Sequence, residues 1–193
     1  RYSGIVVKDP DQETNDLTKA FSYIMGHMPE VDCIHIIAAT GRREDHTVGN
    51  MSLLLEYEKE YCLSERGIKV DMVSDYSTIF AISGSCSLHV GEGRSVSIFC
   101  MDPTVRIISE GLVWPTDNVV FDNWWKGSLN RASEDSISLI LDEGSCFVGD
   151  LEPLEYLEAY DNNEALKSDW DLIMSYNPKT IFFAHRPEKN FQR

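Results

Sequence analysis

The chain has 193 residues, 32 acids against 17 bases and a formal net charge of -15. Such a surface repels nucleic-acid phosphates and argues against a general DNA- or RNA-binding role, and no apolar run approaches the ~20 residues of a membrane span. The five cysteines, Cys33, Cys62, Cys86, Cys100 and Cys146, are scattered without a CxxC pair, which predicts buried or free thiols in a reducing cytoplasm rather than a disulfide framework.

The first ~75 residues alternate between strand and helix patterns. Residues 4–7, "GIVV", form a short apolar strand pattern. Leu17, Ala20, Phe21, Ile24, Met25 and Met28 then recur at helical spacing within "NDLTKAFSYIMGHM". "CIHIIAA" is apolar enough for a strand buried on both faces. "HTVGNMSLLLEYEKEY" predicts a second helix with Val48, Met51, Leu54 and Leu55 inward, and "KVDMVSD" a third strand. This order implies a parallel sheet with right-handed crossovers.

After Tyr76 the elements become short strands separated by turn residues: "STIFAIS", "CSLHV", "SVSIFC" and "TVRIIS". They predict an all-β sandwich or partial barrel. "GEGRS" reads as a hairpin turn, because no helix follows it to make a phosphate loop. In the last third, "ISLIL" and "SCFVGD" flank "DEG" as a hairpin, and "PLEYLEAY" and "EALKSDWDLIMSY" have helical patterns. The second carries Leu166, Trp170, Ile173 and Met174 on one face, and "KTIFFAH" is a final strand. The expected organisation is an α/β parallel-sheet domain over 1–75, an all-β sandwich module over 76–136 and an α/β tail over 137–193.

Ligands of parallel sheets bind beyond the carboxyl ends of the strands. The loops after the first two strands, "KDPDQETND" and "TGRREDH", emerge there together. Helix capping by Asn15 or Thr14 and favourable acid placement at helix N-termini account for one acid per helix. They leave the remaining cluster of Asp9, Asp11, Glu13, Asp16, Glu44 and Asp45 unexplained. A Mg²⁺ held by one or two carboxylates and by substrate phosphates suits this composition.

"PDQETNDLTKA" followed by "TGRREDHTVGN", and then "EGLVWPTDN" and "WWKGSLNRAS", resembles the thiamine pyrophosphokinase family from about Ile5 to Ser133. The resemblance implies an α/β domain for ATP and Mg²⁺, a thiamine-binding β-domain, and a homodimer with active sites between subunits. It also implies transfer of diphosphate from ATP to thiamine with release of AMP. Carried onto this sequence, it makes Asp16 and Asp45 catalytic, with Asp16 helping to hold Mg²⁺. Asp11 and Gln12 fall in the phosphate-facing loop, and Arg43, His46, Thr47 and Asn50 in the second motif. Trp114, Ser128 and Asn130 fall near thiamine. Glu44 departs from the apolar residue common at its position. Trp114, Trp124 and Trp125 also suit packing or a subunit interface.

Two features break the pattern. The family's upstream Gly-Asp-x-Asp-Ser segment does not appear after Arg1, so the α/β part is expected to be incomplete at its N-terminus. The last ~60 residues instead resemble the end of a metallo-β-lactamase-fold hydrolase, with Asp150 and His185 at two ligand positions. That fold's His-x-His-x-Asp-His cluster is missing. Two ligands fall short of the three protein donors of a catalytic zinc, so Asp150 and His185 are expected to be structural. Two alternative functions remain: a thiamine-binding module without turnover, and a fragment of a metal-dependent hydrolase.

Overall fold

Asn15 starts the first helix by accepting the Thr18 N–H at 2.8 Å, and α1 (Asp16–His27) then buries Leu17, Phe21 and Ile24. The computed structural model describes residues 7–41, 43–141, 145–151 and 180–184. A short connection leads to β1 (Cys33–Ile37), which is followed by α2 (Glu44–Tyr61), α3 (Leu63–Arg66) and β2 (Lys69–Val73). Left-handed Cys62 and Gly67 end the two later helices. The β-rich part comprises β3 (Thr78–Ser83), β4 (Cys86–His89), β5 (Ser95–Phe99), β6 (Ile107–Glu110), β7 (Gly127–Arg131), β8 (Ser136–Leu141) and β9 (Ser145–Leu151). A final strand, β10 (Thr180–Ala184), returns to the first part.

The strands form a seven-stranded sheet in the order β10-β1-β2-β3-β9-β5-β7 and a three-stranded sheet in the order β4-β8-β6. β1 is parallel to both β10 and β2, and β3 joins β2 antiparallel. The parallel part expected from the sequence is therefore continuous with the β-part rather than a separate sheet. Along β3, Ile79 and Ala81 pack with the helices in one core, whereas Phe80 and Ile82 pack in the core between the two sheets. Alternation of side chains along a strand makes this possible.

Three expectations change. "GEGRS" is a turn, but β4 and β5 lie in different sheets, so it joins the layers rather than closing a hairpin. The strands at 137–141 and 145–150 do enter the β-part, yet they do not pair with each other. β8 centres the small sheet, while β9 lies between β3 and β5 in the large one. Val48, expected inward, is 53% exposed, because the buried residues of α2 all come from its second half: Leu54, Tyr57 and Glu58. The expected strand at 4–7, apart from Val7, and the two tail helices lie outside the described residues.

Helix α1 is clamped on α2 by two aligned pairs. The Thr18 hydroxyl meets the Tyr57 hydroxyl at 2.8 Å, and the Ser22 hydroxyl meets that of Tyr61 at 3.1 Å. Phe21 stacks on Tyr57 with ring centroids 4.0 Å apart. Glu58, also buried, accepts from the Ser64 N–H at 3.2 Å and the Ser83 hydroxyl at 2.5 Å, tying α2 to α3 and β3. Across the parallel strands, His35 Nδ1 lies 2.6 Å from Asp71 Oδ1.

Two measurements check this frame. Phe21→Ala removes a 2%-exposed ring from the helix core and is expected to cost about 3–5 kcal/mol in urea unfolding. Burial alone depresses His35, but its hydrogen bonds with Asp71 and Cys33 outweigh it and raise the group from 6.5 to about 9. The raised value means that this contribution is fully present below the unfolded pKa and is lost as pH rises through the folded one. Unfolding free energy is therefore expected to decline from 6.5 to about 9, and Asp71→Asn to flatten that decline.

Candidate active site

The loop before α1 is held by its own side chains. Asp11 accepts the Glu13 N–H at 3.0 Å and the Thr14 hydroxyl, and the Asp11 N–H donates to Asp9 at 2.9 Å. The Thr14 hydroxyl first, and the Glu13 N–H second, lower the Asp11 pKa. Gln12 turns its amide back onto the carbonyls of Pro10 and Asp11, at 3.3 and 3.2 Å. Asp16, in the first turn of α1, leaves its carboxylate 82% exposed, with Lys19 at 3.8 Å.

The second loop leaves β1 through Ala38 and Gly41, both at positive φ. Arg43 forks onto Asp45, Nε to Oδ1 at 3.1 Å and Nη2 to Oδ2 at 2.5 Å. Those hydrogen bonds hold the Asp45 carboxyl at about 2 and raise Arg43. Thr47 donates its hydroxyl to the Arg43 carbonyl at 3.0 Å, and Asn50 ties α2 back to the Ala39 carbonyl at 2.9 Å. His46 is exposed. Arg42 lies outside the described residues.

Both helices begin at the same end of the sheet, because α1 leads by a short connection into the start of β1 and α2 follows its end. They are staggered along their axes. The clamped pairs are each 39 residues apart in sequence, and Asp16 and Asp45 are closer in sequence by about ten. At 1.5 Å per residue, and with tyrosines leaning toward their helix N-terminus, α2 starts roughly 10–15 Å beyond α1. The exposed residues Glu44, Asp45, His46 and Val48 lie at that projecting end. Asp16 and Asp45 thus flank a span instead of touching.

In the β-part, residues 114–116 and 126–130 line a groove of about 200 Å³ together with Val119. Trp114 is 59% exposed beside it, and Leu129, at φ 58°, is 84% exposed. Asn130 is buried, and its amide is largely committed to the backbone. Oδ1 accepts the N–H groups of Trp114 at 3.2 Å and Arg131 at 2.8 Å, while Nδ2 donates to the Trp114 carbonyl at 2.7 Å. With one amide hydrogen remaining, Asn130 positions Trp114 more than it can read a ligand. Ser128 is half-buried on the lining. Gly127 is required by close approach, since an added Cβ would lie 2.7 Å from the Ile98 carbonyl oxygen and 3.0 Å from the Phe121 ring.

The sequence reading missed Thr116, Lys126 and Leu129 as groove residues. Lys126 pairs with Asp122 at 2.5 Å. The "WWKGSLN" string carried a signal for Lys126; nothing in the sequence announces a leucine in the left-handed region. Among the described residues, no three His, Cys, Asp or Glu side chains group to hold a metal. His185 and the Asp150 side chain lie outside the described set.

Two family models match, in order: thiamin pyrophosphokinase, catalytic domain, over residues 2–63, and thiamin pyrophosphokinase, substrate-binding domain, over residues 78–148. Together they cover more than half of the chain. The chain belongs to the thiamin pyrophosphokinase family. It is 29% identical over 124 residues to thiamine pyrophosphokinase 1 of Oryza sativa subsp. japonica, covering 59% of this chain and 44% of that protein. The thiamine pyrophosphokinase of Bacillus subtilis shares the fold at a TM-score of 0.61 and 18% identity, covering 75% of this chain and 66% of that one. That of Geobacillus thermodenitrificans does so at 0.63 and 19%, covering 80% and 69%. The chain thus spans under half of the rice relative.

The substrate-binding match includes β8 and most of β9, which explains why both strands sit inside the β-part. The catalytic match includes both charged loops. Removing the fork tests the electrostatics of the second loop. In Arg43→Ala, the Asp45 carboxyl resonance is expected to titrate near the ordinary ~3.9 instead of at about 2, as followed by NMR.

Proposed function

We propose that the protein transfers diphosphate from ATP to the hydroxyl of thiamine, giving thiamine diphosphate and AMP. The observation that carries this reading is the ordered occurrence of both thiamin pyrophosphokinase domains in one chain. In this reading the staggered charged helix starts would supply phosphate and metal chemistry, and the groove beside Trp114 an aromatic wall.

Diphosphate transfer requires positioning and charge neutralisation. Asp16 is the proposed Mg²⁺ ligand, supported by its exposure and by its only loose ion pair with Lys19. Bound Mg²⁺ would neutralise phosphate charge. Arg43 is proposed to exchange Asp45 for phosphate oxygens, since a guanidinium fork suits either. Asp45, so released, is available to the cationic thiazolium or to the reacting hydroxyl. Asp11 and Gln12 shape the first loop, while His46, Thr47 and Asn50 set the start of α2. Trp114 is proposed to face the cationic ring, with Ser128 beside it and Asn130 bracing it.

A homodimer is part of the proposal. Trp114, Trp125 and Leu129 are 59%, 57% and 84% exposed around the groove, and aromatic anchors favour interfaces. The described cysteines are free, in keeping with a reducing cytoplasm. The tail, with Asp150 and His185, is proposed to be structural rather than zinc-binding. No helix among the described residues is long and apolar enough to cross a membrane.

Incubation with Mg²⁺, ATP and thiamine should yield AMP and thiamine diphosphate in equal amounts by chromatography. Asp16→Asn should lower turnover more than thiamine affinity. Asp45→Ala should weaken thiamine binding in calorimetry by about 1–3 kcal/mol, the scale of a charge-assisted contact. Thiamine binding without AMP would favour the non-catalytic module. Absence of both binding and AMP from the wild type would refute the proposal.

A further inference from the structure

Away from the charged loops, β1 and β2 carry a connected chain of three reactive groups. Cys33 Sγ lies 3.2 Å from His35 Nε2, and His35 Nδ1 lies 2.6 Å from Asp71 Oδ1. Register pairing places His35 opposite Asp71 on the parallel strand. Strand alternation puts them on the face opposite Ile34 and Ile36, which are fully buried in the helix core. Cys33 stands at the amino end of β1, five residues of strand, or about 16 Å, from the loop that follows it.

The geometry fixes the roles. Asp71, as a carboxylate, only accepts, so the ring donates Nδ1–H to it and turns Nε2 toward the sulfur. The thiol proton can then pass to Nε2: the S–H bond breaks, an N–H bond forms, and a thiolate faces an imidazolium. The carboxylate and thiol occupy opposite ring nitrogens, so the three groups form a relay and not the donor set of one metal ion. His35 is 7% exposed, which shields the arrangement, whereas Cys33 is half-buried and Asp71 retains 16% of its side-chain surface. Among the described residues, other charged neighbours are Lys69, paired with Cys33 in the strand register, and Asp32 just before β1. The flanking strand, Thr180–Ala184, contributes no titratable residue.

We propose that Cys33 is an activated nucleophile, its thiol proton taken up by His35 and the imidazole oriented through Asp71, and that it is a site of mixed-disulfide formation with small disulfides. The thiolate attacks one sulfur, a new S–S bond forms on Cys33 and the original S–S bond breaks. The departing thiolate takes the proton held on His35. The raised His35 value agrees with a protonated ring. Burial, by contrast, raises the thiols of Cys86 and Cys100, and exposed Cys62 serves as an internal comparison.

The test is a time course of the 193-residue chain with 4,4′-dithiodipyridine, a neutral disulfide, with each modified cysteine located by peptide mass mapping. At about pH 6, Cys33 is expected to react roughly tenfold faster than Cys62. His35→Gln and Asp71→Asn should bring Cys33 down to or below the Cys62 rate without changing Cys62. The unchanged Cys62 rate, with retained circular dichroism, separates loss of activation from loss of fold. The proposal is overturned if wild-type Cys33 reacts no faster than Cys62. Unaltered Cys33 reactivity in His35→Gln overturns it equally.

Discussion

Strand β3 has to serve two cores at once, and the arrangement of the molecule follows from that constraint. Its residues alternate between the helix layer, through Ile79 and Ala81, and the β-sandwich interior, through Phe80 and Ile82. Antiparallel pairing to β2 on one side and to β9 on the other extends the parallel sheet into the sandwich. The two matched family domains therefore share a backbone hydrogen-bond network. The loops at the carboxyl end of β1 are held relative to the β-part by that common sheet.

The charged loops satisfy themselves in this state. Arg43 holds Asp45, Asp11 holds Thr14 and the Glu13 N–H, and Gln12 folds back on its own loop. These are exposed groups, so the pairs contribute little to stability. They keep like charges from repelling and leave the fork of Arg43 oriented. A phosphate arriving at this edge would compete with a neighbouring carboxylate, not with a buried network. Buried polar groups elsewhere have structural work: Glu58 joins α2 to α3 and β3, and Asn130 braces the Trp114 backbone.

Much of the helical part was legible in the sequence because amphipathic spacing reports burial directly. Leu17, Phe21 and Ile24 are buried as their period implied. Val48 fits the same period in α2 and is exposed, because periodicity names a face but not how far the helix overhangs the sheet. The apparent hairpins at "GEGRS" and "DEG" failed for a related reason. Turn residues mark where a chain reverses, but the partner of each strand is chosen by packing across layers. β8 and β9 entered different sheets on that basis.

Sequence by itself determined the local elements, the two charged loops and the family motifs, since caps, periods and motif strings are properties of neighbouring residues. Tertiary structure alone decided the single mixed sheet, the stagger between Asp16 and Asp45, the commitment of Asn130 to backbone bonds and the chain Cys33–His35–Asp71. Each depends on residues brought together from separate elements. Asp71 is 36 residues from His35 in sequence, and only the parallel register of β1 with β2 sets a carboxylate against that imidazole.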